Sequence, residues 1–228
     1  AIFKQEAIFY RRRGGNVFWV GHPMLDLTKK LPSKKFSRTI LKLKANQNIL
    51  LLMPASRPQE LKYILPTFLK TAKKLQLRYP SLLVYIPSCR SIFDEKFRQG
   101  LEKYEIKGKV ISQQDNSKFM PYIYSLTKLA LCKSGTVNME LALYGIPQII
   151  GYRVSRVTAF IAKRILNFKV RFISPVNLLV KKFIIPEFVQ KNFNEKKIFF
   201  KACRLLDLTS EKAKIKKGYT LLKKELGE

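Results

Sequence analysis

The feature that most constrains this chain is a series of short, continuous apolar runs at residues 48–53, 82–86, 129–132 and 147–151, separated by stretches of helical periodicity. A strand that is apolar throughout needs cover on both faces, and parallel strands need a crossover between them. The pattern therefore predicts an α/β domain, a Rossmann-like parallel sheet with helices on both faces. After the first run, Leu61, Ile64, Leu65, Phe68, Leu69, Ala72 and Leu75 recur at helical spacing, while Lys62, Lys70, Lys73 and Lys74 fall on the wet side. Pro66 is expected to bend this helix. A helix at 92–104, a strand at 109–112 and a helix at 118–125 follow. The strand at 129–132 runs directly into Ser134-Gly135-Thr136 and a helix to about Tyr144.

The flanks read differently. Ala1-Ile2-Phe3 resembles the end of a buried strand, residues 16–20 a second short strand, and Gly21-His22-Pro23 the turn that closes it. Beyond Arg153 the pattern is mostly helical, at 158–166, 177–180, 187–191, 195–206 and 210–226. Three units are expected. Residues 1–32 form the end of an upstream domain plus a connector, 33–191 the Rossmann-like domain, and 192–228 closing helices. Phe193, Phe199 and Phe200 suggest that these last helices pack on the upstream domain or a partner subunit.

A content of 46% hydrophobic residues supports a substantial core, yet the longest apolar stretch, 49–53, is too short to cross a bilayer. Three widely spaced cysteines and the single histidine, His22, argue against a disulfide framework and a structural zinc site. Charge is the outlier. Against 15 acidic residues stand 45 Lys and Arg, a formal +30, which attracts polyanions such as nucleic acid, anionic lipid or a phosphorylated ligand. The basic pairs are spread along the chain, so compositional drift with a solvated surface accounts for part of the excess.

Two strand-to-helix loops have the chemistry to hold an anion. Pro54-Ala55-Ser56-Arg57 sets small residues beside a guanidinium, although a plain turn capped by Ser56 would look the same. Lys133-Ser134-Gly135-Thr136 opens a helix whose first N–H groups and positive dipole end would face a phosphate, with Gly135 allowing close approach. Glu140 lies one turn further on, where a carboxylate could accept hydrogen bonds from two ribose hydroxyls. Taken alone, that second loop is also no more than a capping motif. His22, Asp26 and Asp115 are candidate bases without an identified partner.

Five landmarks in order make the chain resemble the lipid-A-disaccharide synthase family. They are Val20-Gly21-His22-Pro23 with Asp26; Leu52-Met53-Pro54-Ala55-Ser56-Arg57 with Glu60; Ser134-Gly135-Thr136 with Glu140 and Leu141; Pro147 with Gly151-Tyr152-Arg153; and Asn177-Leu178-Leu179 with Pro186-Glu187. The resemblance runs from about Tyr10 to Lys191 and implies the donor-binding, C-terminal half of a GT-B glycosyltransferase, the acceptor domain and its catalytic base lying upstream. It further implies transfer of 2,3-diacylglucosamine from its UDP derivative to 2,3-diacylglucosamine-1-phosphate (lipid X), without metal or redox cofactor. On this reading Arg57 and the loop Ser134, Gly135 and Thr136 hold the diphosphate, Glu140 the ribose, and Arg153 and Asn177 border the donor sugar.

Also implied are a cytoplasmic location, peripheral contact with the inner membrane or its plastid equivalent, and, left open, a homodimer. Basic and aromatic residues such as Phe160, Lys163, Arg164 and Phe168 suit an anionic membrane surface. Three departures stand out: Ala55 replaces the family's glycine, Val176 follows Pro175 where a proline precedes the asparagine, and Val137-Asn138-Met139 is more polar than usual. The alternatives are another UDP-sugar enzyme of GT-B architecture, such as the peptidoglycan glycosyltransferase or the UDP-N-acetylglucosamine epimerase, and a basic module binding anionic membrane or nucleic acid. Nucleic acid is disfavoured by the core-like spacing of the aromatics.

Overall fold

The computed structural model describes residues 1–28, 30–155 and 171–228. The chain opens with three short helices, α1 (Lys4–Arg11), α2 (Met24–Leu27) and α3 (Lys34–Leu41). Strands and helices then alternate: β1 (Asn48–Met53), α4 (Pro58–Tyr63), α5 (Leu65–Arg78), β2 (Leu82–Pro87), α6 (Asp94–Lys103), β3 (Gly108–Ile111), α7 (Asn116–Leu126) and β4 (Thr127–Cys132). After α8 (Val137–Leu143) and β5 (Gln148–Tyr152) come α9 (Pro175–Val180), β6 (Glu187–Val189), α10 (Glu195–Asp207) and α11 (Thr209–Leu226).

The strands form one sheet in the order β3-β2-β1-β4-β5-β6, and every neighbouring pair is parallel. The chain steps outward from β1 to β3, returns past β1 to β4, and steps outward again to β6. Right-handed crossovers then put the helices of the two halves on opposite faces. Contacts follow that division except for α10, which returns to the first half's face: α5 packs on α6 and α10, whereas α3 packs on α7, and α8, α9 and α11 pack on one another. Residues 49–52 of β1 and 129–132 of β4 are all 0% exposed, as a doubly covered strand requires.

Some expectations needed correction. Pro66 does not bend one long helix; the helix breaks at Ile64, and Pro66 sits in the first turn of α5, where its missing N–H costs nothing. Residues 187–191, read as helix, form the edge strand β6 followed by a 3-10 turn, Gln190–Asn192. Glu187 pairs with Ile150 and Phe188 with Gly151, and three residues are too few to display a strand's alternation. Neither Ala1-Ile2-Phe3 nor residues 16–20 is a strand. Three hydrogen bonds bridge them: the Ala1 amine donates to the Phe18 carbonyl at 2.7 Å, the Ala1 carbonyl accepts from the Val20 N–H at 3.1 Å, and Trp19 Nε1 donates to the Ile2 carbonyl at 3.3 Å. Helix α3 was missed, although Ser33 accepts a capping bond from the Phe36 N–H at 3.3 Å.

The closing helices pack on this domain. Helix α10 lies on α5 and β4, Phe193 is buried edge-on against Phe68 with ring centroids 5.4 Å apart, and only Phe200 of the three phenylalanines is exposed. Gly151 makes that aromatic pair possible, since a Cβ there would come within 2.1 Å of Phe193 and 2.7 Å of Phe68. The end of α11 meets the first segment of the chain: the Leu226 carbonyl accepts from the His22 N–H at 2.8 Å, and Gln5 donates to Glu225 at 2.9 Å. The helix expected at 158–166, with Phe160, Lys163, Arg164 and Phe168, lies outside the described residues.

Candidate functional site

The strand order reverses between β1 and β4, so the loops leaving these two strands diverge and open a crevice at their carboxyl ends. Met53 stands opposite Cys132, and the Lys133 N–H donates to the Met53 carbonyl at 3.0 Å. The two loops singled out from the sequence are therefore neighbours. One carboxylate ties them together. Glu60 Oε2 accepts from the Ser56 N–H at 2.6 Å and the Arg57 N–H at 3.0 Å, while its Oε1 pairs with Lys133 Nζ at 3.0 Å. Capping of α4 thus comes from Glu60 rather than from Ser56. The Arg57 side chain itself is exposed and forms no ion pair among the described residues.

In the second loop, Ser134 Oγ donates to the Ile173 carbonyl, which draws the segment before α9 toward the crevice. The Gly135 N–H, expected to be open, is taken by Asn138 Oδ1 at 2.9 Å, and Asn138 Nδ2 returns to the Lys133 carbonyl at 3.1 Å. Buried Asn138 accounts for the extra polarity of this segment. The N–H groups of Thr136 and Val137 remain without an acceptor among the described residues, and Thr136 contributes no side-chain cap. Gly135 has an ordinary backbone conformation, and a Cβ there would meet only the Lys133 side chain, at 3.8 Å. The fold does not demand glycine at this position; its absence of a side chain leaves the loop's outer face open.

Beside these loops lies a cleft of ≈ 390 Å³ lined by Met53, Cys89, Asn116, Met120, Tyr124 and Glu140 among others. Glu140 is half-buried there. Burial pushes its carboxyl above the usual range, and the neighbouring Tyr124 hydroxyl partly offsets that push. Tyr124 packs on Tyr144 with ring centroids 5.1 Å apart, so two aromatic rings stand behind the carboxylate.

Arg153 and Asn177 lie elsewhere. Arg153 donates to the carbonyls of Gln190 and Phe193 and covers the Phe193 ring at 5.3 Å. Asn177 is fully buried, donating to the Ile185 carbonyl at 2.8 Å and Glu187 Oε1 at 2.7 Å and accepting from the N–H groups of Ile184 at 2.8 Å and Ile185 at 3.0 Å. An amide has two donors and two acceptor sites, and all four are used. Glu187 in turn accepts from the N–H groups of Ile173 at 2.8 Å and Ser174 at 3.0 Å. This clamp shapes the loop that Ser134 touches. His22 Nδ1 accepts from the Met24 N–H at 3.1 Å, Asp115 accepts from Ser112 Oγ at 2.8 Å, and Asp26 lines a separate cavity beside Lys223. Among the described residues no group of three His, Cys, Asp or Glu side chains is placed to hold a metal ion.

A family model for lipid-A-disaccharide synthetase matches residues 1–228. This chain belongs to the lipid-A-disaccharide synthase family. It is 45% identical over 227 residues to the lipid-A-disaccharide synthase of Prochlorococcus marinus (strain MIT 9313), covering 100% of this chain and 58% of that protein. It is 36% identical over 229 residues to that of Synechocystis sp. (strain ATCC 27184 / PCC 6803 / Kazusa), covering 100% and 57%. The chain thus spans about 58% of the length of such relatives. Solved structures share the fold at low identity. An S. aureus MnaA–UDP co-structure superposes with a TM-score of 0.69 at 15% identity, covering 100% of this chain and 56% of that one. WaaG, a glycosyltransferase involved in lipopolysaccharide biosynthesis, gives 0.51 at 14%, covering 86% and 47%. The fold is accordingly that of one half of a GT-B glycosyltransferase or epimerase.

Two departures from the lipid-A-disaccharide synthase pattern are accommodated. Ala55 is not left-handed, so no glycine is needed there, and Pro175 occupies the first turn of α9 behind the Ser174 cap, which accepts from the Asn177 N–H at 3.2 Å. Sequence reasoning missed Tyr124, and it named Lys133, Asn138 and Glu187 without the roles of pairing with Glu60, capping the loop and clamping the segment before α9. For Tyr124 and Asn138 a signal existed: a polar group on the inward face of a helix beside a phosphate-type loop. For the Glu60–Lys133 pair, 73 residues apart, there was none.

Proposed function

We propose that the cleft and the two loops beside it bind the UDP portion of a nucleotide sugar, and that this chain is the donor-binding part of a lipid A glycosyltransferase. The observation that carries the reading is the reversal of strand order between β1 and β4, which sets the loop of exposed Arg57 beside the loop of Thr136 and Val137 with their open N–H groups, while Glu140 lines the cleft next to them. An anion at the loops would meet a guanidinium and two backbone donors, and a ribose in the cleft would meet Glu140. Fixed donors of this kind also stabilise negative charge on a departing UDP. The MnaA–UDP co-structure supports a UDP site on this fold.

The donor would be UDP-2,3-diacylglucosamine and the acceptor 2,3-diacylglucosamine-1-phosphate, giving the β-1,6 disaccharide and UDP. With acylated substrates of this kind, the basic surface would meet an anionic bilayer. Arg153 and Asn177 would act behind the site, by shaping the segment 173–193. Titration calorimetry of UDP against wild type and Arg57→Ala tests the diphosphate assignment. Loss of one exposed, charge-assisted contact should weaken binding about tenfold; equal affinities would overturn it.

A further inference from the structure

The excess of basic residues is spread along the sequence, but folding gathers part of it onto one face. No Asp or Glu occurs between Asp26 and Glu60 or between Asp115 and Glu140, so α3, α7 and β4 carry none. These elements are neighbours. Helix α3 packs on α7, Ser125 Oγ donates to Ser37 Oγ at 2.7 Å, and Arg38 donates to the Gln47 carbonyl at 3.3 Å, just before β1, which β4 flanks. Lys34, Lys35, Arg38, Lys42, Lys118 and Lys128 belong to this acid-free region, and none of them forms an ion pair among the described residues. Partial burial first, and then the charges of Lys34, Lys212 and Arg38, hold the Lys128 ammonium below the usual lysine range. The face is also apolar in part. Helix α3 buries Ser37 and Leu41, yet Phe36 and Ile40, one turn apart on its flank, are 52% and 37% exposed.

We propose that the face formed by α3 and α7 docks this chain on an anionic bilayer, Phe36 and Ile40 entering the boundary between headgroups and acyl chains while the cations around them meet lipid phosphates. The inference deepens the reading of the substrates as acylated sugars and rests on it. Charge complementarity selects the occupant. Two copies of a face that carries cations and no acid repel each other, which disfavours self-association through it. A nucleic acid would match the charge, but Ile40 offers no ring for a base to stack on. Basic residues beside an exposed apolar pair suit a headgroup boundary instead. This face also adjoins the cleft. Helix α7 lines the cleft with Asn116, Met120 and Tyr124, one turn apart, while exposed Lys118 and half-buried Tyr122 lie on its other side, Tyr122 meeting Phe36 with ring centroids 5.8 Å apart. One helix therefore walls the site for an acylated nucleotide sugar and carries part of the surface that meets the bilayer.

Vesicle flotation tests the inference, with phosphatidylcholine alone and with phosphatidylcholine plus phosphatidylglycerol. The variants are the triple Lys34→Gln, Lys35→Gln, Lys118→Gln; the pair Phe36→Ser, Ile40→Ser; and a control of equal charge loss on α11, Lys216→Gln, Lys217→Gln, Lys224→Gln. Every substituted side chain is exposed, so the variants keep the fold. Wild type should float with the anionic vesicles and not with phosphatidylcholine alone. At about fivefold per lysine near an anionic surface, the lysine triple should bind about a hundredfold more weakly. The serine pair should lose about tenfold, and the control should stay within about threefold of wild type. An equal loss in the control would show attraction by net charge alone and overturn the inference. So would an oligonucleotide that wild type binds and the lysine triple does not, if flotation of that triple is unchanged, since the face would then belong to nucleic acid. UDP titration without vesicles separates the two readings. Wild type that binds UDP yet floats no better with the anionic lipid overturns this inference alone, whereas wild type that binds no UDP overturns the nucleotide reading.

Discussion

Replacing Asn177 with alanine separates two roles that the sequence could not distinguish. Placed beside a donor sugar, Asn177 would contribute to affinity and little to stability. Its four side-chain hydrogen bonds, to Ile184, Ile185 and Glu187, and its complete burial make it a clamp between α9 and β6 instead. Asn177→Ala leaves two backbone N–H groups and a carbonyl without their partner and takes from Glu187 Oε1 one of its two bonds, the Ser174 N–H remaining. At roughly 1 kcal/mol net per bond, the loss comes to about 4 kcal/mol. For a chain of this size that corresponds to a fall in Tm of about 8–16 °C. Differential scanning calorimetry measures it directly, and UDP titration well below the transition measures the other role. The expected outcome is a large loss of stability, with affinity within about twofold of wild type. A variant that melts within about 2 °C of wild type and binds UDP about tenfold more weakly would refute the clamp and return Asn177 to the ligand.

Two further variants probe the frame of the site. Gly151→Ala places a Cβ 2.1 Å from Phe193 and should cost roughly 1–3 kcal/mol. Chemical denaturation should show that cost shrinking in a Phe193→Ala background, and full additivity would contradict the packing argument. Glu60→Ala removes the acceptor shared by Ser56 and Arg57 and strands Lys133, for an expected loss of about 2–3 kcal/mol. If Lys133→Ala then costs as much in that background as alone, the two loops are not coupled through this pair.

Most of the sheet was legible from the sequence because its cause is local. A strand covered on both faces must be apolar throughout, so residues 48–53 and 129–132 could be read without knowing what covers them. The helices between them carry their own 3.6-residue pattern, and Ser134-Gly135-Thr136 is recognisable from its place between a strand and a helix. The five ordered landmarks led to the correct family for the same reason. What the sequence left open depends on partners far along the chain. Glu60 meets Lys133 across 73 residues, and Phe193 reaches Phe68 of α5 only because Gly151, on β5, has no side chain. Strand β6 exists by virtue of β5 beside it, and its three residues carry no period of their own. Asn177 shows the limit most plainly. Its place in a motif could be read from sequence alone, but whether its amide faces a ligand or the backbone of its own fold is decided by where Ile185 and Glu187 return to meet it. Hydrogen-bond saturation is a property of the folded neighbourhood, and no local pattern encodes it.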